Sequence, residues 1–171
     1  MGYYFDIIAR LILAILLILA KPFYSPFFIN LSAYLSYIPL NIFLGANLME
    51  NVITIGVKSI NYVEACAAVG AYIFLGLLIL LTRGASVGLR LKLFGIGSLF
   101  ILIANIIRID LLAYILVNNN ADLFVTLHLL TWKILSGIYV AFVWIFMVKK
   151  FNVQEIPIIG DFKFLKKQLG K

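Results

Sequence analysis

Two apolar runs, 93–117 and 123–148, constrain this chain more than any other feature. They read LFGIGSLFILIANIIRIDLLAYILV and LFVTLHLLTWKILSGIYVAFVWIFMV. About 20 apolar residues in a helix cross the hydrocarbon core of a bilayer. Inside that core every backbone N–H and C=O must find an internal partner, so each run has to be helical. A third run, 63–82 (VEACAAVGAYIFLGLLILLT), is also long enough. The first third of the chain is more broken. Residues 5–20 stop at Lys21-Pro22, and 23–48 contain Pro26 and Pro39. They read as one short and one kinked span, and 49–62 as a polar connection with some strand character. Asp6 and Arg10 are spaced to pair on one helix face. The expectation is an all-α polytopic bundle of about five spans over residues 1–150. A basic amphipathic tail, 151–171, then lies on the membrane surface.

Composition agrees. Of 171 residues, 64% are hydrophobic and 12% charged, where a soluble domain is about half apolar and about a quarter charged. The net charge of +7 sits between and after the apolar runs. There it sets topology and meets anionic headgroups rather than nucleic acid. Loop 83–92 carries Arg83, Arg90 and Lys92, and the tail carries Lys149, Lys150, Lys163, Lys166, Lys167 and Lys171, whereas 118–122 (NNNAD) has no positive residue. Positive loops stay in the cytoplasm. The tail and 83–92 are therefore read as inside a multi-pass cell membrane protein, and 49–62 and 118–122 as outside. With five spans the N-terminus is outside too. MGYYFDIIAR lacks the basic start and cleavage site of a signal peptide, so it is read as retained. The single cysteine excludes an intramolecular disulfide and a cysteine metal cluster. No cofactor or metal is expected.

Arg108 and Asp110 lie within 93–117. Charges at that depth cost at least a few kcal/mol and normally face protein or water for a purpose. Residues two apart on a helix do not face each other, so Asp110 is a poor partner for Arg108. Counted down each helix at 1.5 Å per residue, Cys66 is roughly 5 Å, His128 roughly 8 Å and Arg108 roughly 13 Å below the outer end. The long arginine side chain can reach back outward. Alone, a membrane cysteine is usually a small packing residue, and a lone histidine is as readily structural as catalytic. Together they suit acyl transfer. A neighbouring cation or histidine turns a thiol into a nucleophile, arginine stabilises an oxyanion, and histidine moves protons near neutral pH. Asn105 lies one turn from Arg108 and can orient it, and Glu64 flanks the cysteine, where it can meet a cation.

VEACAAVGAY at 63–72, NIIRID at 105–110 and His128 in HLLTWKILSG resemble, in order and spacing, the exosortase/archaeosortase family of membrane cysteine transpeptidase-like enzymes. The likeness covers about 63–137. The family places a Cys at the outer start of a helix, an Asn-x-x-Arg segment on the next and a His or second Arg on the one after. One departure is that Ala67-Ala68 stand where many members have a Ser-Gly-like pair. The resemblance implies a substrate that is an exported protein with a C-terminal sorting signal: a short motif, a transmembrane helix and a basic tail. It implies cleavage through a Cys66 thioester, with Arg108 stabilising the thiolate or oxyanion and His128 shuttling the proton. The acceptor is then a second nucleophile such as a membrane lipid. Two rival readings use the same residues. A small transporter or channel subunit would line a path with Arg108 and Asp110, and a noncatalytic membrane scaffold would use all three polar residues structurally.

Overall fold

The computed structural model describes residues 3–118 and 120–153. The tail from 154 onward, expected as a surface anchor, lies outside the described residues. The molecule is mostly helical with one small sheet, so the all-helical expectation holds for the apolar segments.

The first two helices, α1 (Tyr3–Leu19) and α2 (Lys21–Leu44), meet at Ala20. Lys21-Pro22 was expected to end one span and begin another running back. It bends the chain without reversing it, because proline is compatible with the first turn of a helix. The next helix, α3 (Val69–Leu80), shows the direction. Arg10 of α1 donates to the Leu81 carbonyl beyond the end of α3 at 3.4 Å, and Leu17 packs on Gly76. Phe28 of α2 stacks on Tyr72 with ring centroids 4.3 Å apart. Further along, Ser36 shares a 2.9 Å hydrogen bond with the Tyr62 hydroxyl, ahead of α3. The N-terminus therefore starts at the 81–90 end of the bundle, the end read as cytoplasmic, and not at the opposite one. The expected Asp6–Arg10 pair is present at 3.0 Å.

Helix α2 runs through Pro26 and Pro39 and stops at Gly45, whose φ of +64° is open to glycine. The Gly45 and Ala46 amides close the helix on the Asn41 and Leu40 carbonyls. The connection that follows is an antiparallel sheet of three strands, β1 (Asn47–Met49), β2 (Val52–Ile55) and β3 (Lys58–Asn61), in that order. Ile53, Ile55 and Ile60 turn inward, while Val57 at the second hairpin tip is fully exposed.

Two helix boundaries differ from expectation. The run 63–82 is not one helix, because Glu64–Ala68 are turns and α3 begins only at Val69. Its 12 residues make about 18 Å, short of the roughly 30 Å of a hydrocarbon core. Conversely α4 (Val87–Val117) starts before 93 and takes Arg90 and Lys92 into its first turns. Ser86 explains the early start, since its hydroxyl accepts from the Leu89 amide at 3.3 Å as an N-cap. The last apolar run is helical throughout but not uniform. It comprises α5 (Ala121–Leu130), a π-turn at Thr131–Leu135, and α6 (Ser136–Lys150).

Three helical stretches, Lys21–Leu44, Val87–Val117 and Asp122–Lys150, are long and apolar enough to cross a membrane. Large apolar side chains cover their outer faces: Phe27, Ile42, Ile103, Ile107, Leu111, Ile138 and Phe142 are all exposed. That much exposed apolar surface marks a face meant for lipid or partners. Inside are two cores. One joins the sheet to Ala33, Leu40, Cys66, Val69, Ile109 and Ala113. The other joins Tyr72, Leu75, Ile79, Leu93, Val140, Val143 and Met147. Gly97 lets α4 approach α3 and α6 closely, for a Cβ there would sit 2.7 Å from both Leu75 and Met147. Small residues at such crossings are how membrane helices gain packing.

Candidate functional site

Cys66 lies in the turn between β3 and α3, not three residues inside a helix. Three observations describe this turn. Ala68 has φ +54°, ψ +33°, left-handed backbone that an L-residue with a Cβ adopts only when its surroundings impose it. The Val69 amide reaches back to the Glu64 carbonyl at 3.2 Å, closing a wide loop around Cys66. The Cys66 side chain is buried, 5% exposed, and its sulfur points to the Asn61 carbonyl at 3.9 Å, a weak contact.

The turn is held from α4. Asn105, 4% exposed, donates through Nδ2 to the Cys66 carbonyl at 2.8 Å. Arg108 donates to the Ala65 carbonyl at 2.9 Å and to the Cys66 carbonyl at 3.1 Å. Residues 105 and 108 are three apart, so α4 presents both to one surface. Non-helical backbone at membrane depth is tolerated only where protein or water satisfies its polar groups. Here two side chains of the Asn-x-x-Arg segment satisfy it. A single terminal guanidinium nitrogen, Nη2, donates to both carbonyls.

The remaining expected residues are placed as follows. His128 is on α5, stacked on Phe124 with ring centroids 5.8 Å apart. It is within electrostatic range of Arg108, and its Nδ1 is buried without a hydrogen-bond partner. No hydrogen bond joins it to Cys66 among the described residues. Glu64 does meet a cation: it is ion-paired with Lys21 at the start of α2. That ammonium holds the Glu64 carboxyl below its ordinary range. Asp110 makes no ion pair with Arg108 among the described residues, as helix geometry required, and its Oδ1 is buried and unpartnered.

Three contributors were not singled out from the sequence. Tyr62, 2% exposed, is tied by Ser36 to α2 and packs in the same core as Cys66. Burial pushes its phenol well above the ordinary value, so it stays neutral. Lys133 and the π-turn that carries it complete the cavities beside Arg108. One, of about 220 Å³, is lined by Ala71, Ile101, Ala104, Asn105, Arg108 and Tyr139 among others. A second, of about 360 Å³, lies between Ala68, Gly70, Ala71, Arg108, Lys133 and Ser136. Neither is lined by Cys66 or His128. An unneutralised Lys133 inside an apolar run was the available sequence signal for this region.

The arrangement holds a buried, thiol-bearing turn on the Asn105 amide and the Arg108 guanidinium. Among the described residues no group of three or more His, Cys, Asp or Glu side chains could hold a metal. Compared with family models, with curated proteins and with solved structures, the chain matches none.

Proposed function

We propose that this chain is a membrane-embedded cysteine peptidase or transpeptidase of the exosortase/archaeosortase kind, acting on C-terminal sorting signals of exported proteins. The observation that carries the reading is the grip of Asn105 and Arg108 on the Cys66 turn. Residues far apart in sequence, from two of the three motif segments, meet at one backbone carbonyl. The left-handed Ala68 adds support, because it occupies the position where the family pattern has glycine, the residue suited to that conformation.

In this reading His128 takes the thiol proton and the Cys66 thiolate attacks the scissile carbonyl carbon. The tetrahedral intermediate collapses to a thioester, and the leaving amine takes the proton back from His128. An acceptor hydroxyl, amine or water then displaces the cysteine. Arg108 fixes the turn through two carbonyls and places positive charge beside the developing anion. Nδ1 of His128 has no hydrogen-bond partner, and catalytic hydrogen bonds commonly tighten only when substrate binds.

Topology in this reading has four crossings, not five. The joined α1–α2 path crosses once, the 63–82 segment once, with the short α3 enclosed by its neighbours rather than spanning alone, and α4 and the α5–α6 path once each. The positive residues at the 81–92 end keep that end, and the N-terminus with it, in the cytoplasm. The Cys66 turn then faces the extracytoplasmic side of the cell membrane.

The test is processing of an exported reporter bearing a C-terminal transmembrane sorting signal. Wild type should cleave it, Cys66→Ala should not, and His128→Ala should cleave at least about 100-fold more slowly. Retained cleavage by Cys66→Ala would sink the proposal. A second reading, a noncatalytic scaffold, is favoured by one observation: Arg108 is engaged by carbonyls, and His128 is not bonded to the thiol. It expects substitutions at Cys66, Arg108 and His128 to change stability rather than turnover.

A further inference from the structure

The two cavities beside Arg108 share Ala68, Ala71, Arg108 and Ser136 and differ in character. The narrower is walled by Ile101, Ala104, Leu135 and Val140, with Asn105 and Arg108 at one end. The wider holds both Arg108 and Lys133. Lys133 is exposed on the π-turn and has no acidic partner among the described residues. Arg108 satisfies two carbonyls, but its Nε remains buried without a partner, and so does Oδ1 of Asn105. Two cations thus border one space with no carboxylate in its lining. The lining defines what would suit the space: an anion for the two cations and a hydroxyl for the Asn105 amide. The apolar end calls for a chain of methylenes. The small apolar side chains of Ala71, Ala104 and Val140 line that end, as an acyl chain requires.

We infer that this cleft holds a single anionic phospholipid, its phosphate between Lys133 and Arg108, its headgroup hydroxyl at Asn105 and one acyl chain along Ala71, Ala104 and Val140. Lys133 reaches this space from the π-turn. Such single-turn irregularities recur at functional sites in helices. The site does not depend on Cys66 being a nucleophile.

Native mass spectrometry of the full-length protein in mild detergent tests this. Phosphatidylglycerol, phosphatidylcholine, glycerol phosphate and a transmembrane peptide would each be offered to wild type, Lys133→Gln, Ala104→Phe and Cys66→Ala. One retained phosphatidylglycerol per chain is expected in wild type and in Cys66→Ala, with little phosphatidylcholine. Retention should fall about fivefold in Lys133→Gln and further in Ala104→Phe, which fills the apolar end. Lys133 is exposed, so its variant tests the site even if Ala104→Phe folds poorly. Equal retention of the two lipids, or no loss in Lys133→Gln, would overturn the inference. Retention of glycerol phosphate without lipid would make this a soluble-anion site, and retention of the peptide instead of lipid would make it a substrate groove. Either result rejects a lipid site.

Discussion

The Cys66 carbonyl accepts from both Asn105 and Arg108, so neither residue's contribution is independent of the other. Removing Asn105 leaves that carbonyl with the guanidinium, and Asn105→Ala should cost about 1 kcal/mol. Removing Arg108 strips a charge-assisted donor from two carbonyls, and Arg108→Ala should cost about 3 kcal/mol. The two changes together should depart from additivity by at least about 0.5 kcal/mol, read from denaturant unfolding in detergent. Additive losses would mean that the shared carbonyl does not couple them. Ala68 offers a complementary check. Its left-handed backbone suits glycine, so Ala68→Gly should be neutral or stabilising by up to about 1 kcal/mol, while the β-branched Ala68→Val should destabilise by more than that. The same unfolding measurement decides.

Among the elements, α4 is the organiser: it meets α3 and α6 through Gly97 and reaches the Cys66 turn three helical turns later. Gly97→Ala places a methyl 2.7 Å from Leu75 and Met147. Both are buried, so little room exists to yield, and a loss of about 1–3 kcal/mol is expected. Gly95 on the same helix has open space around it, and Gly95→Ala should instead be neutral or gain about 0.5–1 kcal/mol from helix propensity. Thermal unfolding of the pair separates packing from propensity. The Lys21–Glu64 pair ties the start of α2 to the turn. Because the folded Glu64 carboxyl is held low, the stability it adds is present above the ordinary glutamate value of about 4.3. It is lost as pH falls below that value toward the folded one. The difference between wild type and Glu64→Gln should accordingly shrink as unfolding is followed downward from pH 6, and a constant difference would show that the pair contributes nothing through its charge.

At the scale of the whole molecule, the α1–α2 path sets the sidedness of everything else. Single cysteines placed by Phe5→Cys, Val57→Cys and Gly84→Cys in a Cys66→Ser background report it directly. In intact cells a membrane-impermeant maleimide should label position 57, and label 5 and 84 only after permeabilisation. Labelling of 5 together with 57 would restore the five-span arrangement. The exposed apolar belt on α2, α4 and α6 and the short α3 fit a bundle in which α3 is walled by its neighbours. Tyr72, Leu75 and Ile79 of α3 are all buried.

The amino-acid sequence by itself determined that the long runs are helices, because a bilayer leaves their backbone no other partner. It also determined the Asp6–Arg10 pair, which needs only helical spacing, and that Arg108 must face protein or water at its depth. It marked Asn105 and Arg108 as neighbours on one face for the same local reason. Tertiary structure alone decided what that face grips. The hydrogen bonds from Asn105 and Arg108 to residues 65 and 66 bridge about forty positions in the chain, and no periodicity records them. It also decided that Lys21-Pro22 bends rather than reverses the path, since proline at a helix start permits both and only packing on α3 selects between them. The turn at Cys66 was hidden for a related reason. VEACAAVG is as apolar as a helix, and its left-handed Ala68 exists because side chains from a distant helix satisfy the carbonyls that a helix would otherwise have bonded itself.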